Sequence, residues 1–229
     1  MASPRLIELW PAAGVRIRAG GVEMRWIDDE LAVDLALLAG NGVHEEGSMP
    51  FNSPWTRGSA REVGRSVLSF QWAARPHVSA KRLVLEFGVL IDGEPVGIQG
   101  ASADDWSVLR EVETGSWLGR AHQGRGIGSR MRALMLHFCF EAMHAEHVVS
   151  AAFTDNAASN AVSLRTGYEL DGVQRVVREG VAATQTRYRM DRDRWLQVRA
   201  ANQQLIGADV EVIGVEALLA DLEPVEPAS

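Results

Sequence analysis

The stretch 120-RAHQGRGIGSRM-131 decides how this chain is read, because Gly124, Gly126 and Gly128 alternate through it and an apolar helical pattern starts at once. Ile127, Met131, Leu134 and Phe138 recur at helical spacing. A glycine-rich turn entering a helix leaves main-chain N–H groups free beside the helix's positive end, and together they bind anionic phosphate. Gly126 and Gly128 would let the backbone approach a ligand where a Cβ would collide. Taken alone, the run reads equally as a plain turn. Two familiar phosphate schemes fail on spacing: no Gly-Lys-Ser/Thr follows, and the glycines do not take the G-x-G-x-x-G pattern.

Working outward, the preceding segments read as an antiparallel meander and not as the first βα unit of a dinucleotide fold. The stretch 15-VRIRAGGVEMRWI-27 predicts strand, Gly-Gly turn and strand, after which Asp28 or Asp29 caps a helix with Leu31, Leu35 and Leu38 on one face. Ser59 and Glu62 stand at capping-box spacing ahead of a helix whose inner face is read as Val63, Val67 and Phe70. Two β-rich runs flank Asp92-Gly93 in 82-RLVLEFGVLIDGEPVGIQGAS-102, which predicts a hairpin, and 109-LREVETGSWLG-119 predicts a third strand. Beyond the glycines come a strand at 147-HVVSAAFT-154, a short helix around 157 to 166, and strands near 168 to 177 and 184 to 190. A helix from Asp191 to about Ala201 closes the core, its start 192-RDRW-195 read as solvated.

The organisation expected is one domain over 20–201, an N-terminal extension over 1–19, and a C-terminal extension over 202–229 that adds an edge strand and a short helix before a disordered tail, EPVEPAS. At 229 residues, 46% apolar and 23% charged, the chain has the composition of a globular enzyme. Its net charge of −7 argues against a dominant nucleic-acid surface. The sole cysteine, Cys139, lies in 133-ALMLHFCF-140 and reads as a buried thiol. No run approaches a membrane span and no leader pattern opens the chain, so a cytoplasmic protein is expected. His144 and His147 lack further ligands nearby, and no metal is expected. The loop 44-HEEGSMPFNSPWTRG-58 carries Met49, Phe51 and Trp55, which either anchor it on the core or wall a substrate pocket.

Read as Gln123-x-x-Gly126-x-Gly128, the glycine segment resembles the pyrophosphate-binding motif of the GCN5-related N-acetyltransferases. Two more segments agree in order: 113-ETGSWLG-119 is similar to the E-x-G-Y-W-L strand of the RimJ/RimL-type branch, and 156-NAASNAVSLRTGYELDG-172 to that branch's N-x-x-S-N signature. The resemblance covers roughly residues 20 to 195. It implies an α+β fold with a mixed, mostly antiparallel sheet of six or seven strands, splayed at the cofactor site and flanked by helices. It also implies an acyl-coenzyme A donor, a primary-amine acceptor (a protein N-terminus, a lysine or a small amine) and direct attack on the thioester. Families of this fold often dimerise, so a homo-oligomer is expected. The stretch 49-MPFNSPWTR-57 is similar to actinobacterial-type members, some described as transferring succinyl; Arg57 or His44 could then meet the distal carboxylate.

Carried over residue by residue, the resemblance makes Glu113 the base that accepts the amine's proton; the alternative is that Glu111 and Glu113 share a solvated strand face. Leu118 would offer a main-chain N–H to the thioester carbonyl. Gln123, Gly124, Arg125, Gly126, Ile127, Gly128 and Ser129 would hold the pyrophosphate, mainly by backbone, with Arg125 and Arg130 as possible phosphate partners. Asn156 would bond the pantetheine arm or simply cap the next helix. The family's tyrosine position is Ser163 here, a departure that leaves Ser159 as hydrogen-bond donor to the leaving thiolate, unless it only serves its helix N-terminus. A different class of function, a non-catalytic acyl-coenzyme A sensor presenting the 44 to 58 loop to a partner, also fits a cofactor-binding chain.

Overall fold

The computed structural model describes residues 2–223, which contain eight α-helices and nine strands. In chain order these are α1 (Pro4–Leu9), β1 (Arg16–Ala19), β2 (Val22–Trp26), α2 (Asp29–Gly40), α3 (Ala60–Ala74), β3 (Arg82–Ile91), β4 (Glu94–Asp104) and α4 (Trp106–Leu109). Then follow β5 (Glu111–Leu118), α5 (Ile127–His137), β6 (His147–Phe153), α6 (Ala157–Arg165), β7 (Glu169–Arg178), β8 (Val181–Asp191), α7 (Arg192–Ile206), β9 (Glu211–Ile213) and α8 (Val215–Asp221).

All nine strands form one sheet in the order β7-β8-β6-β5-β4-β3-β2-β1-β9, antiparallel throughout except for the parallel pair β5–β6. Seven strands, β2 to β8, fall within 20–201; the flanking segments supply β1 and β9, which pair with each other through Arg16↔Ile213 to Arg18↔Glu211. The first and last parts of the described chain thus meet at one edge of the sheet. The notional tail lies outside the described residues from 224 onward.

Local chemistry explains most boundaries. The β3–β4 turn places Asp92 at φ 50° and Gly93 at φ 88°, the left-handed pair that a two-residue hairpin needs. Asp28 accepts the Leu31 N–H at the start of α2, and Ser59 with Glu62 forms the reciprocal capping box of α3. Helices α2 and α3 cover one face of the sheet, where Leu31, Leu35, Val63, Val67, Leu90 and Ile98 cluster. The other face packs on α5, α7 and α8 around Phe87, Leu134, Phe138, Trp195 and Leu218.

Two readings change. The inward row of α3 is Val63, Val67, Gln71 and Ala74, while Phe70 is 56% exposed. A polar glutamine takes the inner position because a half-buried carboxyl, Glu86, faces it there. The start of α7 is not solvated at Trp195, whose ring stacks on Phe140 at 5.4 Å and whose Nε1 donates to Glu141 Oε1 at 2.6 Å. That helix also runs past Ala201 to Ile206 and stops at Gly207, φ 75°. Cys139 is buried, and burial pushes its thiol up to about 12, which keeps it inert.

Candidate active site

The centre of the site is a fork in the sheet. Strands β5 and β6 pair only over Glu111↔His147, Val112↔Val148 and Glu113↔Val149. Beyond that, β5 stays with β4 as far as Leu118↔Gly97, and β6 stays with β8 as far as Phe153↔Gln185. The facing edges of residues 114–118 and 150–153 therefore have no ladder between them; side chains take the Thr114 and Leu118 carbonyls, and the gap between the edges has room for an extended ligand to bond the rest.

Side chains hold the apex of the fork. Thr114 Oγ1 donates to the Val149 carbonyl and Ser150 Oγ to the Thr114 carbonyl, each at 3.3 Å. From α5 below, the buried Arg132 donates to Ser150 Oγ at 3.0 Å and to Ser116 Oγ at 3.3 Å, one contact on each strand. Its guanidinium also lies 5.9 Å from the centre of the Tyr168 ring, and the Tyr168 hydroxyl bonds Thr114 Oγ1 at 3.0 Å. Arg132 was not singled out in the sequence; a charged residue within an otherwise apolar helical run was the signal for it.

The glycine segment stands at the open end of the fork. Gly124 and Gly126 are left-handed, at φ 71° and 79°, and each has empty space where a Cβ would sit. Gly126 is the N-cap of α5 with no side chain capping it, so the first-turn N–H groups of Ile127, Gly128 and Ser129 point outward without intrahelical partners. Gly128 faces Val162 and Leu118, a Cβ there lying 3.6 and 3.8 Å from their methyls, which draws α6 and the end of β5 against the turn. Gln123 fixes the turn: its Nε2 donates to the carbonyls of Val43 at 2.5 Å and Leu118 at 2.9 Å. Arg125 is exposed beside it. Arg130 points away, donating to the Ile206 and Ala19 carbonyls at 2.8 and 3.1 Å, so it braces β1 against α7 instead of meeting phosphate.

Across the fork, Asn156 caps α6 by accepting the Ser159 N–H at 3.1 Å. Ser159 is half-buried at the first turn of that helix, and Ser163 is fully buried with its Oγ unpartnered. Both serines thus sit on the helix that flanks the fork, Ser163 facing inward.

On the α2/α3 face of the sheet, Glu113, Gly115 and Trp117 of β5 point the same way. Glu113 and Gly115 are exposed, and nothing occupies the Cβ position of Gly115. Trp117 lies 5.8 Å from Trp55, which lies 4.9 Å from Phe51, itself 6.0 Å from His44. In the loop 44–58, Met49 is buried as an anchor, and Phe51 and Trp55 pack on the α2/α3 cluster beside the exposed stretch of β5. The loop is strapped to the β7–β8 hairpin. Arg57 bonds Glu179 through both Nε (2.8 Å) and Nη2 (3.0 Å) and reaches the Glu46 carbonyl, while Gln185 donates to Asn52 at 2.6 Å. Bonding to Glu179 raises the Arg57 guanidinium above its ordinary value, and the Arg57 contact holds Glu179 below the usual carboxylate range. Among the described residues no group of three or more His, Cys, Asp or Glu could hold a metal ion.

The forked β5–β6 pair, the glycine turn at the head of the helix beneath it and the acidic strand beside the aromatic side chains lie together at one place in an open α/β sheet. The acetyltransferase (GNAT) domain model matches residues 23–169, well over half of the chain, and the chain belongs to this family, enzymes that move an acyl group from coenzyme A to an amine. Among curated proteins it is similar to the ribosomal-protein-serine acetyltransferase of Escherichia coli (strain K12), 35% identical over 63 residues, which are 28% of this chain and 35% of the relative. The match thus spans about a third of that relative's length. Among solved structures, Mycobacterium smegmatis RimJ in complex with CoA-disulfide superposes with a TM-score of 0.66 at 20% identity, covering 86% of this chain and 94% of that one. RimL, a ribosomal L7/L12 alpha-N-protein acetyltransferase in complex with coenzyme A, gives 0.61 at 20% identity, covering 78% and 99%. At that identity the structural likeness bears on the fold.

Proposed function

We propose that this chain transfers an acetyl group from acetyl-coenzyme A to the amine of a protein N-terminus, by direct attack and without a covalent enzyme intermediate. The observation that carries the reading is the coincidence of the fork with the uncapped, left-handed glycine turn at its mouth. The pantetheine arm would lie between residues 114–118 and 150–153, bonding their free edges, with Asn156 alongside. Its pyrophosphate would take the N–H groups of residues 124–129.

Each step then has a residue. Glu113, exposed on β5, receives the ammonium proton through solvent. The Leu118 N–H, at the end of the unpaired edge, meets the carbonyl oxygen as negative charge develops there. Ser159 donates a hydrogen bond to the departing thiolate. Acetyl is favoured over succinyl because Arg57, the cation that would receive a distal carboxylate, is already bonded to Glu179 and the Glu46 carbonyl. A protein N-terminus is favoured by the names that the related acetyltransferases carry. The chain works as a cytoplasmic homo-oligomer in this reading, with 20–201 as the catalytic domain.

Release of coenzyme A from acetyl- and succinyl-coenzyme A, measured against a panel of free-N-terminus peptides, lysine peptides and small amines, tests this directly. Acceleration by N-terminal amines with the acetyl donor is expected. Binding of either donor with no amine accelerating release would favour a coenzyme A sensor instead.

A further inference from the structure

The α2/α3 face of the sheet holds a second carboxyl beside the reaction side of β5. Direct pairing sets Glu86 of β3, Gly100 of β4 and Gly115 of β5 in one row, and Val84, Ser102 and Glu113 in the next. Paired residues share a face, so Glu86 and Glu113 lie on the same side, separated by a row of two glycines. The Glu86 carboxyl leans over Gly100: a Cβ there would collide with Oε1. Gly115 beyond it is exposed with open space at its Cβ position. The Glu86 carboxyl thus fills the space over Gly100, and the open space over Gly115 lies next to it on the way to the exposed part of β5.

Glu86 has no ion pair among the described residues. Its neighbours explain why. Gln71 of α3 bonds it from above, and Arg75, which shares a small cavity of about 10 Å³ with it, is bonded to Asp29 at 2.7 Å and to the Ile27 carbonyl. Arg25 of β2, on the same face, is turned to Asp28 at 3.4 Å. Glu113 is the charged group on the open side. Arg75 Nε, buried and without a hydrogen-bond partner, lines the same cavity but makes no ion pair with Glu86. No cation among the described residues is thus bonded to this half-buried carboxyl, and a ligand cation arriving over Gly115 could pair with it.

Resting on the acetyl-transfer reading, we propose that Glu86 and the open space over Gly115 form the subsite for the acceptor's ammonium group, and that Glu86, together with Glu113, takes its proton before attack. The balance is this: an N–H bond of R–NH3+ breaks and an O–H bond forms on the Glu86 carboxylate; the neutral amine's lone pair forms the C–N bond, the C–S bond breaks, and the second N–H proton released as the amide forms ends on the departing thiolate. Burial pushes the Glu86 carboxyl up to about 7, with the Gln71 bond working the other way. An α-ammonium, ordinarily near 7.7–8.0, gives up its proton to such a group at little cost, whereas a lysine ammonium, near 10.4, does not. The subsite therefore suits an α-amine.

Two measurements separate this proposal from the reading beneath it. In the first, the Glu86 side-chain carboxyl carbon is followed by NMR through a pH titration of the full chain saturated with coenzyme A, with and without alaninamide as probe. The midpoint should fall when alaninamide is present and hold still with an Nα-acetylated lysine amide; an unmoved Glu86 signal with alaninamide overturns the subsite whether or not the enzyme turns over. In the second, Glu86→Gln should lower kcat/KM for a free-N-terminus peptide roughly 10²-fold and remove the acidic limb of its pH profile, with coenzyme A affinity unchanged. Wild-type turnover that Glu86→Gln leaves intact, pH profile included, overturns the role of Glu86 and spares acetyl transfer. Absence of turnover with every amine overturns acetyl transfer, and the titration still judges the subsite.

Discussion

Glu113 and Glu86 share a face of the sheet but live in different surroundings, and that difference divides their behaviour. Glu113 is exposed, so Glu113→Gln should leave folding and coenzyme A affinity alone while lowering kcat/KM by about 10²–10³, measured by steady-state kinetics beside calorimetry. Glu86 is desolvated and its folded value of about 7 stands above the unfolded 4.5. Between those values the folded chain binds more protons than the unfolded one, so stability is greatest below the lower value and is lost as pH rises through the upper one. Glu86→Gln should flatten this dependence and stabilise the chain by roughly 1–3 kcal/mol well above neutral pH, as read from urea unfolding at several pH values. Glu113 could be singled out in the sequence because it stands in a motif. Glu86 could not, although a lone acid within the apolar run 83-LVLEFGVLI-91 was visible; its meaning depends on which strand residues pair with glycine, and register is not written in one strand alone.

At the level of elements, the periodic and capped segments were readable and the packing partners were not. The capping box of Ser59, the Asp92-Gly93 turn and the helix after the glycines follow from local chemistry, and each appears where its residues predict. The inward place of Gln71 and the burial of Trp195 depend on Glu86 and Phe140, which are distant in sequence. The glycine turn gives the sharpest test of an element. Gly126→Val places a β-branched residue at φ 79°, at a cost of about 1–2 kcal/mol, and fills the space beside the free N–H groups. Coenzyme A affinity should drop at least about tenfold, by calorimetry, while the folded far-UV spectrum persists. The strap between the 44–58 loop and the β7–β8 hairpin should behave differently: Arg57→Ala should raise KM for the acceptor and leave coenzyme A binding unchanged.

Taken as a whole molecule, the sheet has the seven strands β2 to β8 plus one toward each end of the described chain, and these meet as β1–β9. Helix α8 then seals the end, with Val215, Leu218 and Leu222 buried. Removing the chain after Ile206 exposes those contacts and the β1 edge, at roughly 1.5–3 kcal/mol per lost side chain, so the truncated protein should melt well below the full one and aggregate on heating. The pairing of the two segments was only half legible: an edge strand after 202 follows from sequence pattern, but its partner does not. The fork between β5 and β6 is likewise a property of the assembled sheet, and it is where chemistry is assigned. A crystal structure of the chain with coenzyme A measures this most directly. The pyrophosphate should rest on the N–H groups of residues 124–129, with the pantetheine between residues 114–118 and 150–153 and the sulfur toward Glu113; coenzyme bound elsewhere, or a fork left empty at saturating coenzyme, would contradict it.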